Sequence, residues 1–94
     1  MQDQPPKAEH AAEEKINWLR LATKFSDDGD LKGMRACAKE VDRLMAGDID
    51  ATAVNAEVAL YSGRTDEAET LADQVLRVQP RHPRARRTAA HRLR

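Results

Sequence analysis

Apolar residues recur along this chain at spacings of three and four, the pattern of helices that bury one face. The first such series, Trp18, Leu21, Ala22 and Phe25, predicts a helix from Ala8 to about Asp27. Four more helices are predicted. The second runs from Leu31 to Ala46, and the third is capped by Asp48 or Asp50 and ends near Ser62. The fourth is capped by Thr65 and is stopped by Pro80, and the last begins at about Pro83. No alternation typical of strands is present, so the pattern predicts an all-α fold.

The later helices also carry apolar residues. In the second helix we expect six of them to face inward: Met34, Cys37, Ala38, Val41, Leu44 and Met45. The larger apolar groups of the third helix are Val54, Val58, Ala59 and Tyr61. The apolar stripe of the fourth consists of Ala68, Leu71, Ala72, Val75, Leu76 and Val78, and the last helix carries Ala85, Ala89, Ala90 and Leu93 among its arginines. Between helices, Gly29 and Gly63 allow the left-handed backbone of a helix end, and Asp30 can cap the helix that follows.

The predicted elements repeat with a period of 34 residues. Gly29 and Gly63 are 34 positions apart, and the same offset pairs Ala22 with Ala56, Ala38 with Ala72, Val41 with Val75 and Arg43 with Arg77. This is the period of a helix-turn-helix solenoid repeat.

Most of the chain, from about residue 15 to residue 94, resembles a pair of tetratricopeptide repeats followed by a capping helix. The matching residues are Trp18, Leu21, Ala22, Phe25 and Gly29 in the first copy, and Ala56, Gly63, Asp66, Glu67, Ala68, Leu76 and Pro80 in the second. The chain departs from the family pattern at Met34, Ala46, Thr52 and Asn55. The resemblance implies a short right-handed α-solenoid of about five helices, with repeat one at about 15–48, repeat two at about 49–82 and the capping helix at about 83–94. We expect residues 1–7, which contain Pro5 and Pro6, to be disordered.

In such repeats the first helix of each pair lines a concave groove that receives a peptide or a partner helix. The resemblance therefore implies a non-enzymatic protein-protein interaction module, either an adaptor or a small chaperone. The repeat register gives the groove positions as Ile16, Leu19, Arg20 and Thr23, then Asp50, Ala53, Val54 and Glu57, and finally Arg84, Arg87, Thr88 and His91. Some relatives hold the acidic C-terminal peptide of chaperones in a basic, Asn-rich clamp. This chain lacks that clamp, because Leu19, Thr23, Val54 and Thr88 stand at its positions.

The charge distribution favours two alternative functions. Basic and acidic residues are equal at 16 each, but residues 81–94 contain six arginines and no acid, so residues 1–80 carry a net charge of −6. Contacts between this acidic body and the basic end of another copy would make a self-assembling structural module, and two repeats with a cap are expected to gain stability from such a partner. Nucleic-acid binding through the arginines is less favoured, since the segment lacks aromatic side chains for base stacking.

Candidate chemistry is sparse in this sequence. Cys37 is the only cysteine, which favours a reducing compartment. The sequence shows neither a signal peptide nor an apolar run long enough to span a membrane. We therefore expect a cytoplasmic protein. The motifs of nucleophilic or phosphate chemistry are missing, and we expect neither catalysis nor a cofactor. Cys37 itself is expected to act as a small apolar core residue.

The acidic and histidine residues do not have metal-ligand spacing. Asp27, Asp28 and Asp30 lack the twelve-residue spread and closing Glu of a calcium loop, so they indicate turn and capping chemistry. The remaining candidates are the three histidines, which we expect on the surface: His10, His82 and His91.

Overall fold

The computed structural model describes residues 8–91, which form five helices: α1 (Ala8–Asp28), α2 (Leu31–Leu44), α3 (Ile49–Tyr61), α4 (Thr65–Val78) and α5 (Pro83–His91). Helix α1 packs against α2, α2 against α3, and α3 against α4, while α5 lies against both α3 and α4. Residues 8–91 contain no strand. The prediction of an all-α helical-repeat fold is therefore confirmed. The expected disordered segment 1–7 and Leu93, an apolar residue of the predicted last helix, lie outside the described residues.

The turn between α1 and α2 has the geometry that a glycine permits. Gly29 has φ +74, its N–H donates to the Ser26 carbonyl at 3.1 Å, and the N–H of Asp30 donates to the Phe25 carbonyl at 2.8 Å. These two bonds close a Schellman motif, which satisfies carbonyls that the helix end would leave unpaired. The same pair of bonds recurs 34 residues later around Gly63, whose φ is +84.

The 34-residue period extends through the backbone beyond this turn. The six turn and cap hydrogen bonds donated by residues 29, 30, 34, 45, 48 and 52 all have counterparts donated 34 residues later. The residues that end α2 and α4 also agree, since Met45 has φ −141 and ψ 88 and Gln79 has φ −138 and ψ 85. The backbone conformation at these turns therefore repeats after 34 residues even where the two copies carry different side chains.

Two hydrophobic clusters form the core, and α3 contributes to both. The first cluster contains Ala22, Met34, Cys37, Ala38, Val41, Ala51, Val54 and Val58, with Trp18, Leu19, Phe25 and Leu31 packed against it. The second contains Ala53, Val75 and Ala85, with Ile49 and Leu76 packed against it. Helices α1 and α5 consequently bury their apolar faces in different clusters.

Close packing between α1 and α2 depends on Gly33. A Cβ atom at this position would lie 2.5 Å from Cγ of Phe25, well inside van der Waals contact. The missing side chain of Gly33 thus makes room for the aromatic ring of α1 against α2.

The structure settles or corrects several of the predicted helix ends. Asp48 caps α3, since its Oδ1 accepts the N–H of Asp50 at 2.8 Å. Arg64, not Thr65, occupies the cap position of α4, and no side chain caps that end. Leu21 (37%) and Met45 (37%), which were predicted to face inward, are exposed, and so are two apolar residues of the later helices, Tyr61 (48%) and Val78 (69%). The last three lie at or just past the end of a helix, where neighbouring helices no longer cover them.

Candidate protein-binding face

Helices α1, α3 and α5 share one side of the molecule, which we call the α1–α3–α5 face. Side chains from all three helices meet there, and all twelve predicted groove residues belong to these helices. The exposed ones are Ile16, Arg20, Thr23, Arg87 and His91, the partly buried ones are Leu19, Asp50 and Arg84, and the buried ones are Ala53, Val54, Glu57 and Thr88.

Lys15 of α1 reaches two carboxylates at the start of α3. Its Nζ lies 2.7 Å from Oδ2 of Asp48 and 2.8 Å from Oδ2 of Asp50. Burial by itself lowers the pKa of Lys15, but the hydrogen bonds and charges of both aspartates outweigh it and raise that pKa above its usual value. Lys15 is therefore charged at neutral pH and ties α1 to α3.

His82 joins this cluster from the start of α5. Its Nε2 lies 2.5 Å from Oδ1 of Asp50, and its Nδ1 accepts the backbone N–H of Ala85 at 3.3 Å. Because Nδ1 is an acceptor, the hydrogen-bond pattern assigns the proton of the neutral ring to Nε2, which donates to Asp50. His82 thus caps the first turn of α5 and links that helix to α3.

Asp50 is the shared acceptor of the cluster. Burial raises the pKa of Asp50, but hydrogen bonds from Lys15 and His82 together with their charges have the larger combined effect, and the pKa is lowered. We call Lys15, Asp48, Asp50 and His82 the Lys15 cluster. It connects α1, α3 and α5 through ionised Asp50.

A second polar cluster is centred on Arg84 of α5. Its Nη1 donates to Oε1 of Glu57 on α3, and its Nη2 donates to Oγ1 of Thr23 on α1 at 2.7 Å. The hydroxyl of Tyr61 contacts Oε2 of Glu57 at 3.4 Å. Only 5% of the Glu57 side chain and 11% of the Arg84 side chain are exposed. A carboxylate buried to this degree requires its cationic partner, so the pair fixes α5 against α3.

A cleft of about 420 Å³ opens on this face. Its lining residues are Leu19 of α1, Asp50 of α3, Arg84 and Arg87 of α5, and Gln79, His82 and Pro83 around the start of α5. Arg84 is held by Glu57, whereas Arg87 is exposed and forms no ion pair within the described part of the chain. The cleft therefore presents an apolar side chain, Leu19, together with an unpaired cation.

Several predicted groove residues do not present a side chain to the surface. Ala53 and Val54 have no exposed area because they belong to the two core clusters. Thr88 is 3% exposed, and its hydroxyl donates to the Arg84 carbonyl at 3.1 Å. The repeat register predicts these positions on the assumption that one broad side of α3 is open, but α2 packs on one side of α3 and α4 and α5 on the other, so little of α3 is exposed. These residues support the face from beneath and cannot contact a partner in this conformation.

Ile16 and Arg20 lie apart from the cleft. They line a separate shallow depression on α1 with Glu13 and Asn17. Of the predicted groove residues of α1, Leu19 therefore lines the cleft, whereas Ile16 and Arg20 line this depression.

Sequence reasoning missed three members of the Lys15 cluster: Lys15, Asp48 and His82. It placed His82 on the surface, but only 6% of this residue is exposed, since its ring turns toward Asp50. The 34-residue period of the sequence contains a signal that points to this cluster. Asp48 and His82 are separated by one 34-residue period and both cap the start of a helix, and the bonds of the cluster join residues 33 and 32 positions apart.

The remaining candidate groups are placed as follows. Arg81, Arg86 and Arg87 are exposed, and Arg92 and Arg94 lie outside the described residues. Cys37 is fully buried, and burial raises the pKa of its thiol although Arg84 acts in the opposite direction. The side chain of Asp30 caps α2 by accepting the N–H of Gly33 at 2.9 Å.

Residues 8–91 lack both a metal-site cluster and a membrane-spanning helix. None of the His, Cys, Asp and Glu side chains in this range form a group of three or more that could hold a metal ion. No helix within it combines the length and apolar character needed to cross a bilayer.

Comparison with known proteins adds no assignment, since no family model matches the chain and neither a curated protein nor a solved structure matches it significantly.

Proposed function

We propose that this chain is a non-enzymatic protein-protein interaction module of tetratricopeptide type, an adaptor or small chaperone that binds a peptide or partner helix on its α1–α3–α5 face. The observation that carries the proposal is the cleft whose lining includes both the apolar Leu19 and the unpaired Arg87. Apolar anchors and arginines supply much of the binding energy of protein interfaces. A reducing cytoplasm, favoured by the single Cys37, is the compartment that we propose for it.

The polar clusters suit such a site because they satisfy the buried charges internally. Within residues 10–91, no buried side-chain nitrogen or oxygen lacks a hydrogen-bond partner. A ligand that enters the cleft does not have to neutralise Glu57 or Asp50. Recognition then depends on the groups that remain available, Leu19 and Arg87.

The proposal is tested by selecting peptides from a random displayed library against the purified protein and measuring their affinities by calorimetry. Arg87→Glu should weaken the selected peptides by about tenfold or more, the effect of losing about 1.4 kcal/mol at an interface residue. Arg77→Glu is the matched control, because it makes the same charge reversal at an exposed position in the last turn of α4. Equal affinities for the two variants, or a library that yields no specific binder, would exclude this use of the cleft.

A second candidate function is head-to-tail self-assembly, and the distribution of exposed charge favours it. The exposed acids Asp27 and Asp28 lie at the turn between α1 and α2, whereas the exposed Arg81 and Arg86 lie around α5. Light scattering over a salt series distinguishes the candidates. An oligomer that dissociates as salt rises supports electrostatic assembly, and a monomer at low salt contradicts it.

A further inference from the structure

A single side chain joins the first and last described helices across the α1–α3–α5 face. Arg84 of α5 donates to Thr23 of α1 at 2.7 Å, and these residues are 61 positions apart in sequence. The other arm of the same guanidinium is bound to Glu57. Arg84 therefore spans all three helices of the face.

Backbone packing does not hold α1 and α5 together. Helix α1 packs extensively against α2, and α5 packs against α3 and α4, whereas α1 has no extensive backbone packing with α3 or α5. The two helices also contribute to separate hydrophobic clusters. The first cluster also contains Val54 of α3, so apolar packing joins α1 to α3, whereas the contact between α1 and α5 themselves is the polar one from Arg84 to Thr23.

Two polar links cross the α1–α3–α5 face, the Lys15 cluster and the hydrogen bond from Arg84 to Thr23, and they lie on either side of the cleft. Lys15 and Thr23 are eight residues apart on α1, which corresponds to about 12 Å along a helix. Leu19, which lines the cleft, stands midway between them. The Lys15 cluster closes one end of this span and the Arg84 bond closes the other.

The two ends of the Arg84 link differ in how easily they separate. The Glu57 carboxylate is buried and keeps its cation. Thr23 is exposed, and its hydroxyl also donates to the Leu19 carbonyl at 3.2 Å. Breaking the bond between Arg84 and Thr23 leaves both groups within reach of water, so its loss buries no unsatisfied group.

We propose that Arg84 is a releasable strap that sets the width of the cleft. Bound to Thr23, it holds α1 close to α5. When Thr23 is released, the part of α1 that carries Thr23 moves away from α5 and the cleft widens, while the first hydrophobic cluster keeps α1 and α2 packed on α3.

Distances measured by double electron-electron resonance test the strap directly. Spin labels are placed at two exposed positions, Lys24→Cys on α1 and Ala90→Cys on α5, in a Cys37→Ala background that leaves no other thiol. Thr23→Val removes the acceptor and nearly preserves the volume. Thr70→Val is the matched control, because Thr70 is another exposed helical threonine whose hydroxyl donates to the carbonyl four residues earlier, that of Asp66.

We expect Thr23→Val to move the distance distribution between the labels to longer values and to broaden it, while Thr70→Val leaves it unchanged. A second variant, Glu57→Gln with Arg84→Gln, removes the strap without leaving an unpaired buried charge and should give the same displacement. Superimposable distributions for the parent, Thr23→Val and the double variant would overturn the proposal.

Discussion

Replacing Arg84 by Met provides the most demanding test of the buried polar face. The substitution keeps much of the aliphatic length of the side chain but removes the cation that faces Glu57. Because only 5% of the Glu57 side chain is exposed, its carboxylate cannot recover full hydration. Removing one partner of such a pair typically costs about 3–5 kcal/mol. A 94-residue domain has about 5–14 kcal/mol of stability in total, so the loss is a large share of it.

The assay is urea unfolding followed by far-UV circular dichroism and Trp18 fluorescence. With an m value of about 1 kcal/mol/M, a loss of about 3 kcal/mol lowers the midpoint by about 3 M. Arg43→Met is the matched control, since Arg43 also pairs with a glutamate, Glu40, but 63% of its side chain is exposed. An exposed pair of this kind contributes about 0–1 kcal/mol.

The double variant Glu57→Gln, Arg84→Met separates the cost of a stranded charge from the value of the pair itself. Without the carboxylate, no buried charge remains, so the double variant should be more stable than Arg84→Met alone. Equal urea midpoints for Arg84→Met and Arg43→Met would contradict a buried ion pair between Arg84 and Glu57. A double variant no more stable than Arg84→Met would contradict it as well.

Three further outcomes follow from individual residues. Gly33→Ala should lower the melting temperature, because the new methyl group would overpack against Phe25 at a cost of about 1–3 kcal/mol. This cost exceeds the gain of about 1 kcal/mol from the better helix propensity of alanine. A raised melting temperature would contradict the close approach of α1 and α2. Since the pKa of Asp50 is lowered in the folded state, its ionised form stabilises the fold at neutral pH, and this contribution is lost as pH falls through that lowered pKa. The stability difference between wild type and Asp50→Asn should therefore shrink between about pH 5 and pH 2 in urea titrations, and a constant difference would speak against the Lys15 cluster. The thiol of Cys37 should react with a disulfide reagent at once in denaturant but only slowly in the native protein, and rapid native labelling would show that it is not buried.

The sequence by itself predicted the elements of this fold because their signals are local. A buried helical face requires apolar residues three and four positions apart, and the turn at Gly29 requires a residue that adopts positive φ. The recurrence of that turn at Gly63 then revealed the 34-residue period, which the backbone hydrogen bonds reproduce. All five helices were predicted, and their bounds were correct to within a few residues.

Only the tertiary structure decided which polar residues are buried and with whom they pair. His82 and Glu57 have no local feature that separates them from surface residues, because the burial of a charge depends on what the neighbouring repeat places opposite it. Tertiary packing also set the exposure of α3, where α2 on one side and α4 and α5 on the other leave Ala53 and Val54 no surface. The free energy of an ion pair depends on distance and solvent access in three dimensions, whereas helix propensity and turn conformation depend on the nearest few residues. The helices could therefore be predicted from the chain, while the polar links across the α1–α3–α5 face required the assembled fold.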